Sequence, residues 1–212
     1  MDKKITQLTQ VTELTGAELL PLAQGGVTKS ASVDQLRGYK VYTALLTQSG
    51  GDDPQSIGSG AVTEGVTYMV DGTGSDADFS NVGGPKYDGV TSINGTYFVA
   101  INNDIPNNYS EGQLNYNTGA PVVTVLENTI GNIWFEFYAN GQYKINSNGL
   151  LFFNSRQFYY GLLKFADSVN GYIIESDEAA YNDDFIQIIT LDSSRVAVNG
   201  MEKVPIEIRV YN

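Results

Sequence analysis

Five Asn-Gly dipeptides, at Asn94-Gly95, Asn140-Gly141, Asn148-Gly149, Asn170-Gly171 and Asn199-Gly200, punctuate a chain rich in β-branched and aromatic runs. Both central residues of a type I′ turn need positive φ, so Asn-Gly is the strongest short-range signal for a β-hairpin. Ile133-Trp134-Phe135-Glu136-Phe137-Tyr138 precedes one of these turns and Gln142-Tyr143-Lys144-Ile145 follows it. The clearest strand is the last: Val204, Ile206, Ile208 and Val210 alternate with Pro205, Glu207, Arg209 and Tyr211, which places it deep in a sheet on one face. Short strands separated by regular turns predict an all-β fold of sandwich or jelly-roll type from Tyr39 onward.

The chain contains no cysteine and no histidine. Disulfides, thiolate chemistry, the usual zinc ligand and the commonest neutral-pH general base are therefore all missing. Hydrolysis would have to rest on carboxylates, hydroxyls or lysine. Glu175, Asp177 and Glu178, or Asp183 and Asp184, invite a glycosidase reading. A working pair must face across a cleft about 5 to 9 Å wide, which near neighbours along the chain do not establish. No catalytic residue is expected, and the protein is read as a non-enzyme.

Asp71, Asp76 and Asp78 lie on a Gly-rich turn and suggest a calcium loop, but their spacing departs from the EF-hand pattern and its final glutamate is missing. A solvated acidic turn is the expectation, with neither metal nor cofactor bound. The fourteen tyrosines and the single Trp134 can stack on sugar rings, but in a β protein such side chains more often fill the core or an interface. Asn94-Gly95-Thr96 and Asn108-Tyr109-Ser110 match the glycosylation sequon and carry no meaning without a secretion signal.

The beginning of the chain reads differently. Ile5, Leu8, Val11 and Leu14 recur every third position, which suits an extended three-residue turn or a drifting helix face, and the intervening threonines favour the extended reading. Two strand-like runs from Glu18 to Ala31 flank Gly25-Gly26 and predict a tight hairpin, with Pro21 at a sheet edge. Ser32 to Leu36 reads as one helical turn, Ser32 being its N-cap, and Gly38 ends it. A unit this short hardly offsets its conformational entropy alone, since segments below about 40 residues usually need a staple or a partner.

Charge divides the chain in the same place. Through Lys40 there are five cations and four anions, so of the net −12 the remainder carries −13. Such a body repels phosphate backbones, which argues against nucleic-acid binding. No apolar run approaches the roughly 18 residues of a membrane span, and Met1 to Lys4 lead into no signal-peptide core. From Gly51 to Asn117 nine acidic residues stand against Lys86 alone, between Gly-rich loops and strand-like Val66 to Val70 and Thr96 to Ala100. The expected organisation is an attachment segment at 1–38, a β-sandwich body at 39–50 and 118–212, and an inserted β module at 51–117.

Glu18-Leu19-Leu20-Pro21-Leu22-Ala23-Gln24-Gly25-Gly26-Val27-Thr28-Lys29, followed by Val33-Asp34-Gln35-Leu36, resembles the N-terminal attachment segment of tailed-phage fibre and appendage subunits. Tyr39 to Gly50, Thr118 to Gly131 and Pro205 to Tyr211 resemble a β module recurrent in phages of Bacteroidetes-type hosts, including crAss-like phages. Together these blocks cover about a quarter of the chain, and in related sequences the Tyr39 and Thr118 blocks of the β module often lie almost adjacent.

The resemblance implies a structural virion protein on the particle surface, made in the host cytoplasm: a head fibre or capsid-decorating subunit assembled as a homotrimer. The alternative is a tail-associated fibre that binds a host-surface glycan. Partners would be a capsid or other virion protein, further copies of the chain, and a glycan in the alternative, with neither nucleic acid nor membrane involved. Leu19, Leu20, Leu22, Val27, Val33 and Leu36 are the expected apolar attachment contacts, with Lys29 and Arg37 at the polar rim.

Overall fold

The computed structural model describes residues 19–24, 27–32, 39–72, 76–110, 112–148, 158–162, 173–176, 185–192 and 194–211. Two strands open it, β1 (Leu19–Gln24) and β2 (Val27–Ser32), paired antiparallel from Leu19 opposite Ser32 to Gln24 opposite Val27. Only Gly25 and Gly26 separate the last pair, as the hairpin signal predicts. Pro21 lies opposite Ser30, and in a two-stranded ribbon its missing N–H interrupts no second ladder. The periodic stretch from Ile5 to Gly16 and the expected helical turn over Val33 to Leu36 lie outside the described residues.

Strand β3 (Tyr39–Gln48) begins the body. The chain then passes through β4 (Pro54–Ile57), β5 (Thr67–Asp71), β6 (Tyr97–Val99) and β7 (Gln113–Asn117) before β8 (Val122–Asn128) returns alongside β3. It continues as β9 (Ile133–Ala139), β10 (Gln142–Ser147), β11 (Phe158–Leu162), β12 (Ile173–Ser176), β13 (Phe185–Leu191) and β14 (Met201–Tyr211). Among the described residues the helical element is a single 3-10 turn, Ser80–Val82. The protein is all-β.

Two antiparallel sheets, in the orders β11-β14-β3-β8 and β12-β13-β10-β9, form a sandwich. Alternation supplies its core: Tyr42, Ala44 and Leu46 from β3 and Ile206, Ile208 and Val210 from β14 meet Phe135, Tyr143, Ile145 and Ile188 of the other sheet. Strand β14 is interior, between β11 and β3, and its alternate residues are buried as the pattern predicts. Pro205 falls where this is tolerated, since the ladder to β11 ends at the Leu162–Ile206 pair. Asn140-Gly141 forms the two-residue turn of the β9–β10 hairpin, with Gly141 at φ +67° and an extra residue, Tyr138, bulged out of β9.

The third sheet, β4-β7-β5-β6, has its own core of Tyr68, Val70, Phe79, Val82, Phe98 and Leu114. Its strands carry alternate residues toward that core. Across the opposite face, pairing aligns Ser56, Asn115, Met69 and Tyr97 in a row. This second face is turned toward β9: the Phe135 N–H donates to Thr67 Oγ1 at 3.1 Å, and Asn132 Nδ2 donates to the Tyr97 carbonyl at 2.8 Å. Beside it the Val123 N–H at the β8 edge donates to the Gly65 carbonyl at 2.9 Å. Gly65 has φ +79°, and a Cβ there would sit 2.4 Å from the Val123 carbonyl oxygen, so glycine is required for the approach.

Candidate groove between the third sheet and strand β9

Where the third sheet meets β9, a groove of about 530 Å³ opens, within the range of about 300–1,000 Å³ typical of small-ligand sites. One wall is the row Ser56, Asn115, Met69 and Tyr97; the other is Glu136 and Phe137. Ser56 is exposed, and the remaining members of these walls are half-buried.

Tyr97 is held from behind. Its ring stacks on Trp134 at 5.3 Å between centroids and 9° between planes. Tyr97 lines the groove and Trp134 does not, so the indole supports the tyrosine ring without lining the groove itself. Trp134 Nε1 donates to Glu136 Oε1 at 3.1 Å. Burial first, and then the charge and hydrogen bonding of the Glu136 carboxylate, raise the Tyr97 hydroxyl above the ordinary tyrosine value. Tyr97, Trp134 and Glu136 thus form one braced unit.

The amides are also fixed. Asp71 Oδ2 accepts from both Gln113 Nε2 and Asn115 Nδ2 at 2.9 Å. These donors hold the Asp71 carboxyl below its ordinary value. With one N–H committed to Asp71, the Asn115 side-chain carbonyl and its other N–H have no hydrogen-bond partner among the described residues and lie at the groove wall. Asn117 instead serves the loops: Nδ2 donates to Asp52, and Oδ1 accepts from the Gly119 N–H at 2.8 Å. Among the described residues the lining contains one carboxylate, Glu136, and neither lysine nor arginine.

The acidic turn does not converge. Asp71 is committed to Gln113 and Asn115, while Asp78 pairs with Lys86 at 2.9 Å and accepts from Ser80 Oγ at 2.6 Å. The Asp76 N–H donates to Ser110 Oγ, and its carbonyl accepts from Asn108 Nδ2. Among the described residues no group of three or more acidic side chains is gathered for a metal. Of the carboxylates weighed for hydrolysis, Glu175 lies on β12 opposite Ile189, and Asp177, Glu178, Asp183 and Asp184 lie outside the described residues.

The expected attachment residues divide between strands: Leu19, Leu20 and Leu22 on β1, Val27 and Lys29 on β2, with Leu22 paired to Lys29. Val33, Leu36 and Arg37 lie outside the described residues. The groove was not singled out by sequence reasoning. A signal did exist in the polar residues Gln113, Asn115 and Asn117 alternating with Leu114 and Tyr116, a one-faced strand whose second face must meet water or a ligand. No protein-family model, no curated protein and no solved structure matches the chain.

Proposed function

We propose that the chain is a non-catalytic structural subunit of a tailed-phage particle, a head-fibre or capsid-decorating protein that attaches through its first 38 residues and projects its β body outward. The observation that carries this reading is the β1–β2 hairpin. It carries the run from Leu19 to Lys29 of the attachment resemblance, and among the described residues its sheet contains no third strand. A lone two-stranded hairpin is marginal in water, so a partner surface is its natural completion. Burying about half of six apolar side chains would yield several kcal/mol at about 25 cal/mol per Å², before ordering costs.

A further observation supports the reading. Edge strand β8 leaves the apolar side chains Val122, Val125 and Leu126 exposed, and such an edge is suited to contact between copies in a homotrimer. Deleting Met1 to Gly38 tests the attachment: the truncated body folds and oligomerises but is missing from purified particles. Incorporation at normal copy number would place the anchor elsewhere. Labelling the protein in intact particles distinguishes a head position from the tail-associated alternative.

A further inference from the structure

We propose that the groove between the third sheet and β9 is a binding site for a neutral saccharide. The inference goes beyond the particle reading and does not rest on it. A pyranose ring presents a face of C–H bonds with partially positive hydrogens and an edge of hydroxyls that both donate and accept. The electron-rich ring of Tyr97, which lines the groove and is braced by Trp134, matches the first. The Asn115 amide, the Ser56 hydroxyl and the Glu136 carboxylate match the second, because an amide and a hydroxyl offer donor and acceptor together.

Preorganisation favours binding without large rearrangement. Asn115 is oriented by Asp71, and Glu136 is oriented by Trp134 Nε1. A guest therefore orders few side chains on arrival, which reduces the entropic cost of association. Charge selects among sugars. With Glu136 in the wall, no cation in the lining among the described residues, and a strongly acidic chain around it, a sialylated, uronic or sulfated glycan is repelled.

The test uses the full-length protein on an array of neutral hexose, deoxyhexose and N-acetylhexosamine oligosaccharides beside sialylated and sulfated ones. The best-bound oligosaccharides are then titrated by tryptophan fluorescence. Trp134 is the only tryptophan and lies directly behind Tyr97, so occupancy of the groove changes its emission. At least one neutral oligosaccharide binds, and Tyr97→Ala weakens it by about tenfold or more. Ser56→Arg, on the exposed wall of β4, fills the groove while leaving the packing intact and gives the same loss. Tyr138→Ala, which removes an exposed ring outside the groove, leaves the affinity unchanged. The inference is overturned if no neutral oligosaccharide binds, if binding survives both groove variants, or if acidic glycans bind as well as neutral ones. Incorporation into particles is scored separately, so failure of the sugar test leaves the attachment reading standing and the converse also holds.

Discussion

Gln48 shows how a single polar side chain ties distant parts of this fold together. It is buried at the end of β3, in register with the inward-facing Tyr42, Ala44 and Leu46. Its Oε1 accepts from Tyr143 Oη at 2.8 Å and from the Gly200 N–H at 2.7 Å, while Nε2 donates to the Gly50 and Gly119 carbonyls at 3.0 Å. Gln48→Leu takes this partner from the buried Gly119 carbonyl and the half-buried Gly200 N–H, while Tyr143 Oη keeps its bond to Asn199 Oδ1, and should cost about 2 kcal/mol or more, read from urea unfolding with an unchanged m value. Tyr42 is the opposite case. Its hydroxyl is buried without a hydrogen-bond partner among the described residues, and burial raises its pKa well above the ordinary tyrosine value. Tyr42→Phe should leave the melting temperature unchanged or raise it, by up to about 1 kcal/mol in stability terms. The inward position of Gln48 is legible in the alternation of its strand. Its four partners are not, because they come from segments between 2 and 152 residues away.

At the scale of elements, local turn chemistry was legible and its use was not. Asn140-Gly141 closes a hairpin, but Asn94-Gly95 forms a turn, with the Thr96 N–H donating to Ile93, that leads into β6, and Asn199-Gly200 leads into β14. Two of these dipeptides interlock instead: Asn199 Oδ1 accepts from the Gly141 N–H at 2.7 Å, and Asn140 Nδ2 donates to the Ala197 carbonyl at 2.8 Å. Short-range propensity cannot distinguish these outcomes, since each needs only a residue that tolerates positive φ. The loop between β5 and β6 is pinned by Asp78, whose backbone bridges to both Lys86 and Asn108. Its carboxyl is strongly lowered, first by the Ser80 hydroxyl and then by Lys86 and the Ser80 N–H. A depressed carboxyl contributes stability that is complete above the unfolded value near 3.9 and is lost as pH falls below it. Acid unfolding followed by circular dichroism should therefore begin below about pH 4, and Ser80→Ala should make that dependence shallower.

For the whole molecule, regular turns and strand alternation indicated an all-β protein, and composition an acidic stretch unlike its flanks. The packing of that stretch against β9 was out of reach, because contacts such as Thr67 to Phe135 join residues 68 apart and leave no periodic trace. The groove is a product of that packing and was invisible for the same reason. Assembly is tested at this scale. Light scattering at micromolar concentration should give a mass above that of one chain, and Leu126→Asp on the β8 edge should shift it toward the monomer without unfolding the sandwich. A stable, folded wild-type monomer would argue against the trimer.

The junction where the chain leaves β3 and rejoins β8 has a wider consequence. Thr47 lies opposite Val122, and Gly51 and Gly119 pass so close that a Cβ on Gly119 would sit 2.2 Å from the Gly51 carbonyl oxygen. The residues between them therefore start and finish at one point on the scaffold, a graft site whose two stumps are already aligned. A change in the length of that segment far from the junction leaves the register of β3 against β8 untouched, because the pairing is fixed where the two stumps meet.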